Sequence, residues 1–324
     1  MKYFLQRIAF FFLTLFVALT INFVLPRLMP GDPAERVLSR IAGEVDPSMV
    51  KAMRIALGAD FERPILEQYI EYLKNSFAGN FGVSYLYYPV PVKDILRNSI
   101  PWTLGLVGLS TVMSFILGTW LGIVAGWRRD KPVGMGLLFF SLSLRSIPYF
   151  WLAMLFLYIF AFRLRVFPLA NAYSTKEVLT GWRFVLSVIH HGTLPALTLI
   201  VASLGGWILT MRNNMISVLA EDYIALAEAK GLDEKYIMRR YAGRNALLPS
   251  ITAFGISLGF VVSGALLTEI VYSYPGVGFR LYRAVLAQDL PLIQAIFFFI
   301  SLSVLLANLI MDFLYGFLDP RVRD

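Results

Sequence analysis

The chain contains no cysteine, only two histidines and few charged residues. Without cysteine it can form no disulfide, no cysteine-ligated zinc site and no cysteine-held iron–sulfur cluster. Its charged fraction of 15% is well below the roughly 25% that is usual in soluble domains. Of its 324 residues 58% are hydrophobic, and the mean hydropathy is +0.67. These proportions predict a polytopic membrane protein.

The sequence also lacks the motifs of an ATPase or another enzyme. There is no Gly-x-x-x-x-Gly-Lys-Ser/Thr run, which cradles phosphates in nucleotide-binding loops. No nucleophile, base and orienting group stand at a recognisable spacing. His190 and His191 are adjacent and would point about 100° apart on a helix, so interfacial positions suit them better than a metal site. We therefore expect a non-catalytic chain that binds no cofactor and no metal.

Six apolar runs predict six transmembrane helices, because a helix needs about 20 apolar residues to cross a bilayer. The runs cover residues 8–25, 101–126, 133–162, 194–211, 247–270 and 291–317. We expect the fourth to be short and interrupted by Gly205 and Gly206. The fifth is rich in glycine and serine, which suits either close helix packing or the lining of a pore. The predicted fold class is an all-α membrane protein.

The polar segments divide the chain into four parts. We expect residues 1–28 to hold the cytoplasmic N-terminus and first helix, 29–98 an extracytoplasmic insertion between helices 1 and 2, 99–317 the remaining five helices, and 318–324 a cytoplasmic tail. Residues 127–131 form a short basic loop, which the positive-inside rule assigns to the cytoplasm. An even number of spans then leaves both termini in the cytoplasm. Two amphipathic helices are predicted within the insertion, near 48–57 and 64–76.

Arg145 stands near the middle of the third apolar run, just before Pro148. A charge at that depth costs about 2.5–3.5 kcal/mol on insertion scales, so this side chain must face protein or water. We favour a structural ion pair with an acidic group on this or a partner subunit. The alternative is a residue of the transport pathway that meets an anionic part of the substrate.

Residues 222–249 are the most polar stretch in the second half of the chain, and apolar runs lie on both sides. Good helix formers occupy 223–230, and Gly231 stands where a left-handed helix end favours glycine. Asp233 can then cap a second helix over 234–245. The pattern predicts a helix, a glycine turn and a second helix.

The first of these helices has a partly apolar face, because Tyr223, Leu226 and Ala227 follow i, i+3, i+4 spacing. Such a face can contact another surface. Spacing alone leaves an ordinary solvated loop as an equal alternative. A DNA-reading helix-turn-helix is disfavoured, since the segment is tethered between two membrane spans.

Two motifs in this stretch carry a family resemblance. Residues 227–231 read Ala-Glu-Ala-Lys-Gly and residues 244–249 read Arg-Asn-Ala-Leu-Leu-Pro. Together they resemble the cytoplasmic EAA loop of ABC-transporter permeases, in the form used by dipeptide, oligopeptide and nickel importers. In that family the loop forms a coupling helix that docks into the ATP-binding subunit, which here implies a cytoplasmic coupling loop over 214–246. The implied coupling residues are Asp222, Tyr223, Ala227, Glu228, Ala229, Lys230, Gly231, Arg244, Asn245 and Pro249.

Further segments resemble the same branch of permeases, so the likeness covers nearly the whole chain. They belong to the outer loops, the third span and the tail of the family pattern. They are Leu-Met-Pro-Gly-Asp-Pro-Ala at 28–34, Gly-Asn-Phe-Gly-Val-Ser at 79–84, Ser-Ile-Pro-Tyr-Phe-Trp at 146–151, Tyr-Pro-Gly-Val-Gly at 274–278, Gln-Asp-Leu-Pro at 288–291 and Asp-Pro-Arg-Val-Arg at 319–323. Arg145 itself is not part of that pattern.

The resemblance implies a type I ABC importer permease of the first-permease type, in a prokaryotic cell membrane. Its implied partners are a second, similar permease that completes a heterodimer, two ATP-binding subunits that hold ATP and Mg, and an extracytoplasmic substrate-binding protein, with no nucleic acid. Peptides are the expected substrate, and oligosaccharides or nickel are the alternatives within the family. A secondary transporter or a channel subunit is the alternative of another class. A proton-coupled transporter would need intramembrane carboxylates, which are almost absent here.

Overall fold

The protein is all-helical wherever regular structure is described. The computed structural model describes residues 2–28, 38, 63–175 and 178–318. Within these residues there is no β-strand, and the nearest approach to one is an isolated bridge between Val83 and Pro91. The chain divides into two compact units, one made of residues 1–102 with 275–324 and the other of residues 103–274.

The helices range in length from 3 to 39 residues. In chain order they are α1 Lys2–Arg27, α2 Ile65–Phe77, α3 Val92–Trp127, α4 Pro132–Ser146, α5 Tyr149–Arg163, α6 Gly181–Leu219, α7 Asp222–Ala229, α8 Glu234–Tyr236, α9 Arg244–Phe260, α10 Leu266–Val271, α11 Val277–Ala287 and α12 Leu290–Leu318. Short π-helical stretches lie inside α3, at the end of α5 and between α8 and α9.

Four of the described helices are long and apolar enough to cross a bilayer, namely α1, α3, α6 and α12. The pair α4 and α5 gives a fifth span if it is counted as one, although its two halves are bent by 91°. Helix α9 is 17 residues long, which is less than the roughly 20 residues of a complete span. The chain is therefore a multi-pass membrane protein with four or five candidate spans among its described residues.

The expected fourth span differs most from the structure. The expectation of a short, interrupted helix is wrong, because α6 runs unbroken for 39 residues through both Gly205 and Gly206. A glycine inside a helix costs only about 1 kcal/mol relative to alanine, and tertiary contacts can offset that cost. One such contact is made by Gly205, where an added Cβ would lie 2.6 Å from the carbonyl oxygen of Ser141 on α4.

The third and fifth expected spans are both broken. In the third, Ile147 adopts an extended conformation because the following Pro148 disfavours helical geometry, and the chain bends there. In the fifth, α9 ends at Phe260, and the chain then passes through Gly264, whose φ of +75° favours glycine, before α10 begins. A continuous apolar run predicts neither break.

The first unit is built around the packing of α1 on α12. Buried Leu15 and Leu19 of α1 contact Phe298 of α12. Helix α2 lies against α1, where Thr20 Oγ1 and Tyr69 Oη are 2.7 Å apart and Asn22 Nδ2 donates to Tyr72 Oη at 2.8 Å. Helix α2 confirms the amphipathic helix predicted at 64–76. The one predicted near 48–57 lies outside the described residues.

The second unit is built around α6, which packs on α3 through a repeat of glycines. A Cβ added at Gly118, Gly122 or Gly126 would lie only 2.4–2.5 Å from the Cβ of Trp207, Met211 or Met215, respectively. Real Cβ atoms do not approach each other so closely, so only glycine permits this separation of the two helices. The C-terminal end of α6 is consequently held firmly against α3.

Candidate functional site

The segment α7 ends in a Schellman motif, which fixes the direction of the chain beyond it. Gly231 has a φ of +71°. Its amide donates to the carbonyl oxygen of Glu228 at 2.9 Å, and the amide of Leu232 donates to that of Ala227 at 3.3 Å. These are the two bonds of the motif, whose left-handed residue is usually glycine. The predicted glycine turn is confirmed.

The second predicted helix begins as expected but does not end as expected. The carboxylate of Asp233 accepts hydrogen bonds from the amides of Lys235 at 3.1 Å and Tyr236 at 3.2 Å, which confirms the predicted cap. The helix does not stop near Asn245. It continues through the π-helical stretch Ile237–Gly243 into α9, because the backbone keeps right-handed helical angles at both junctions. A single helical rod therefore leads from the glycine turn into the apolar segment.

A small apolar core lies beneath α7. Its buried members are Met211, Met215, Ile224, Ala227, Ile237, Ala242 and Ala246. Met211 and Met215 are the α6 residues that also pack on Gly122 and Gly126 of α3. We call Gly118, Gly122 and Gly126 of α3 the glycine seam. Met211 and Met215 thus contact this seam and also belong to the core under α7.

The expected apolar face of α7 is divided. Ala227 is buried and Tyr223 is half-buried, whereas Leu226 is 55% exposed. Ile224, which the spacing argument did not include, is the other residue that anchors the helix. The helix is thus fixed by one side, and its opposite side, with Leu226, is left accessible.

Polar contacts tie the two helices of the loop to each other and to their neighbours. Asn245 Nδ2 donates to Tyr223 Oη at 3.0 Å and to the carbonyl oxygen of Tyr241 at 2.9 Å. Trp127 Nε1, at the end of α3, donates to Glu234 Oε1 at 2.7 Å. The structure therefore brings together Tyr223 and Asn245, two residues that the family resemblance had assigned to one site.

Eight of the ten residues that the resemblance assigned to coupling lie at the surface. They are Asp222, Glu228, Ala229, Lys230, Gly231, Arg244, Asn245 and Pro249. Tyr223 is half-buried, and Ala227 is only 3% exposed, so these two support α7 from within. The exposed set forms a surface of mixed charge. We call the surface made by the following exposed residues the outer face of α7: Asp222, Ala225, Leu226, Glu228, Ala229, Lys230 and Gly231.

Arg145 lies at the last turn of α4, immediately before the bend to α5. Its side chain is exposed, and within the described chain it has neither an ion pair nor a hydrogen bond. It lines a cleft of about 620 Å³ together with Tyr149, Trp207 and Thr210. The ion pair favoured from the sequence is thus not formed with any described residue.

A second polar centre joins two of the predicted outer-loop motifs. Asp289, which is fully buried, accepts hydrogen bonds from Ser84 Oγ, from the amide of Leu86 at 3.0 Å and from the amide of Leu292 at 3.2 Å. Burial raises the pKa of Asp289, and these hydrogen bonds oppose that effect by stabilising the carboxylate. The segments 79–84 and 288–291 therefore meet at one junction.

The two histidines serve as hydrogen-bonding groups. His190 Nε2 lies 2.9 Å from the carbonyl oxygen of Val166, and His191 Nδ1 lies 2.8 Å from that of Ser187. No group of three or more histidine, aspartate or glutamate side chains that could hold a metal ion occurs in the part of the chain that the structure describes.

Sequence reasoning missed the glycine seam of α3. The signal was present, because Gly118, Gly122 and Gly126 recur at every fourth position and a small residue at that spacing is typical of close helix contacts in membranes. The glycines and serines between 255 and 264 drew attention instead. Composition identified a segment, whereas the spacing of three glycines would have identified the interface.

The structure defines a multi-pass helical membrane protein with a polar helix–turn–helix between apolar helices. The family described as the binding-protein-dependent transport system inner membrane component matches residues 118–324, and the description of its N-terminal part matches residues 1–107. The chain belongs to this family of permeases. The resemblance stated from the EAA loop and the outer motifs is confirmed.

Several curated relatives are similar along their full length. The glutathione transport system permease protein of Escherichia coli is 33% identical over 100% of this chain and 99% of its own. The dipeptide transport system permease protein of Lactococcus lactis is 30% identical over 99% of each chain. The oligopeptide transport system permease protein of Bacillus subtilis is 30% identical over 94% of this chain and 93% of its own.

Proposed function

We propose that this chain is the permease subunit of an ATP-driven importer and forms a translocation pathway for peptides with a second, similar permease. The names of the full-length relatives support peptides as the substrate class. The family membership supports partners that supply what this chain lacks: two ATP-binding subunits, which bind ATP and Mg, and an extracytoplasmic substrate-binding protein. The chain itself has no phosphate-binding loop, so it takes its energy from those subunits.

The observation that carries the proposal is the outer face of α7. A short helix is fixed by Ile224 and Ala227 on a core made with Met211 and Met215, and its opposite side is accessible. A surface that must transmit force has to be rigid with respect to what it moves. The Schellman turn at Gly231 and the cap at Asp233 supply that rigidity.

The proposed mechanism is a lever. Closure of the two ATP-binding subunits displaces α7, and the displacement passes by two routes to the apolar segments. One route is the contact of α7 with Met211 and Met215 on α6, and the other is the continuous rod from Asp233 into α9. The pathway then alternates between outward and inward openings.

The proposed topology has six spans, with α9 and the segment up to residue 270 as the fifth, and with both termini in the cytoplasm. Residues 29–98 then form the extracytoplasmic insertion, and the loop 214–246 faces the ATP-binding subunits. The junction of Asp289 with Ser84 gives the insertion a fixed attachment near the start of α12. We infer that this attachment forms the base on which the substrate-binding protein docks.

The experiment is reconstitution of the complete assembly into lipid vesicles. The proposal predicts uphill uptake of a labelled peptide that requires ATP and the substrate-binding protein and persists without an ion gradient. A thermal-shift panel of peptides, oligosaccharides and Ni²⁺ on the binding protein identifies the substrate class, and stabilisation by sugars or nickel alone would contradict the peptide assignment. Uptake by this chain alone on an ion gradient would contradict the proposal as a whole.

A further inference from the structure

The cleft beside Arg145 has an unusual combination of walls for a membrane-embedded segment. It holds one cation and no acidic side chain, and its other lining residues are apolar, aromatic or hydroxyl-bearing. Ser203 and Thr210 supply hydroxyl groups, and Tyr149 and Trp207 supply aromatic rings. Trp207 is held in place by Phe115 and Phe254, whose ring centroids lie 5.1 and 6.3 Å from its own.

Two adjacent glycines of α6 differ in what surrounds them beside this cleft. A Cβ at Gly205 would meet the carbonyl oxygen of Ser141 at 2.6 Å and Arg145 Cγ at 3.3 Å, so the stem of the arginine packs directly over Gly205. A Cβ at Gly206 would meet nothing within 4 Å. The arginine is thus supported along its stem, and the space next to Gly206 is free for another molecule.

A lone arginine at membrane depth requires water or an anion, because exposure to lipid is costly. Within the described chain no carboxylate is paired with it, which leaves a planar guanidinium whose donors can bind a carboxylate in a bidentate manner. Helix α5 begins at Tyr149 on the wall of the same cleft, and the positive end of its dipole adds to the potential that Arg145 creates.

We propose that this cleft is a binding site on the translocation pathway for the terminal carboxylate of a peptide, and that Arg145 is the group that contacts this carboxylate. The proposal rests on the proposed function and specifies which part of the substrate this chain recognises. Tyr149 and Trp207 flank the adjoining residue of the peptide, and the hydroxyl groups of Ser203 and Thr210 face its amide groups. The volume of about 620 Å³ accommodates a short peptide or one end of a longer one.

The test compares a labelled dialanine peptide with its C-terminal amide in ATP-driven uptake by the reconstituted assembly. The acid-to-amide ratio is the uptake rate of dialanine divided by the uptake rate of its C-terminal amide. The substrate-binding protein is the same in every arm, so its own preference cancels when the ratio of a variant is divided by that of the wild type. We expect Arg145→Gln to lower this ratio by on the order of tenfold, since a hydrogen-bonded charge pair is lost. Arg145→Lys should retain part of the ratio, and Gly206→Leu should reduce uptake of both probes by filling the cleft.

A second measurement uses the absence of cysteine from the chain. In Arg145→Cys, a water-soluble methanethiosulfonate reagent should label this chain, and dialanine should slow the labelling. A reagent that leaves a trimethylammonium group should restore part of the acid preference, whereas a neutral reagent of similar size should not. This measurement also decides the case in which Arg145→Gln fails to assemble.

The inference is overturned if Arg145→Gln keeps the wild-type acid-to-amide ratio, or if the thiol at position 145 is unreactive towards the reagent or reacts without protection by dialanine. An unreactive thiol would mean that the side chain meets lipid or a partner subunit instead of the pathway. These outcomes differ from a failure of the proposed function, in which the wild-type assembly itself shows no ATP-driven uptake of either probe.

Discussion

Helix α6 has two very different faces. Towards α3 it meets Gly118, Gly122 and Gly126, and the helices are so close that not even a methyl group fits between them. Towards α4 it packs closely at Gly205, whereas Ala202, Ser203, Gly206 and Thr210 border the cleft of Arg145. One helix therefore carries a rigid seam and an open space. The close packing supports joint movement of α3 and α6 in the proposed mechanism, and the open space supports the proposed peptide site on the other side of α6.

The largest effect is expected at the seam. Gly122→Ala would place a Cβ 2.5 Å from Met211 Cβ and 2.8 Å from the carbonyl oxygen of Ile208. Overpacking of this kind typically costs about 1–3 kcal/mol, and here the helices themselves must separate. We expect a clear fall in the thermal unfolding temperature of the purified chain in detergent. Gly105→Ala on the same helix meets nothing within 4 Å and is the matched control. Equal stability of the two variants would show that the seam is not tight.

The adjacent pair on α6 gives the sharpest contrast between its faces. Gly205→Ala should destabilise the chain by about 1–2 kcal/mol, since its Cβ would meet Ser141 at 2.6 Å. Gly206→Ala should leave stability unchanged or raise it slightly, because alanine favours a helix by about 1 kcal/mol over glycine and the space is open. The measurement is again thermal unfolding. If Gly206→Ala were the more damaging of the two, the space beside Gly206 would not be open in this chain.

A smaller effect on stability, but a specific effect on function, is expected at the turn after α7. Gly231→Val forces a β-branched residue into a left-handed conformation at a cost of about 1–2 kcal/mol, although no atom lies in its way. We expect lower peptide-stimulated ATPase activity of the assembly with basal ATPase activity preserved. Gly136→Val makes the same chemical change at an exposed helical position in α4 with open space around it. If Gly231→Val showed the same peptide-stimulated ATPase activity as Gly136→Val, the proposal that α7 acts as a rigid lever would be contradicted.

The smallest effect is expected away from α6, at Asp289, and it depends on pH. The folded pKa is raised above the ordinary value of about 3.9, so the folded chain holds more protons than the unfolded chain between the two values. The contribution to stability is therefore present at low pH and is lost as the pH rises through the folded pKa. As the pH falls from neutrality towards the ordinary carboxyl value, acidification should stabilise the wild type relative to Asp289→Asn, which has no carboxyl group to titrate.

The control for this shift is Ser84→Ala, which keeps the carboxylate and removes one hydrogen bond to it. That variant should retain a pH-dependent difference from Asp289→Asn. Thermal unfolding of the three proteins across the pH range decides the matter, and a constant difference between wild type and Asp289→Asn would contradict the raised pKa.

The elements that sequence predicted well are those whose signals are local. The glycine turn at Gly231 and the cap at Asp233 are each set by a few neighbouring residues, so residue type and position suffice to identify them. The all-α membrane class follows in the same way from composition. The motifs at 227–231 and 244–249 further identified the family and drew attention to the loop that the structure shows to be ordered.

What the sequence did not predict depends on tertiary contacts or on continuity over long distances. The seam requires knowledge of which helix faces Gly122, and the burial of Ala227 requires knowledge of Met211 and Met215 beneath it. The unbroken course of α6 through Gly205 reflects packing against Ser141 that no local rule contains. The meeting of Ser84 with Asp289 joins residues about 200 positions apart.

The central claim is that the outer face of α7 is the contact through which an ATP-binding subunit moves this chain. Because the chain has no cysteine, Leu226→Cys introduces a single reactive group on that face. A thiol cross-linker of short span, applied to the complete assembly, should join this chain to an ATP-binding subunit, whereas the same treatment of Leu248→Cys, an exposed position on α9, gives the background. Labelling of position 226 only from the extracytoplasmic side, with no cross-link to an ATP-binding subunit, would contradict the account.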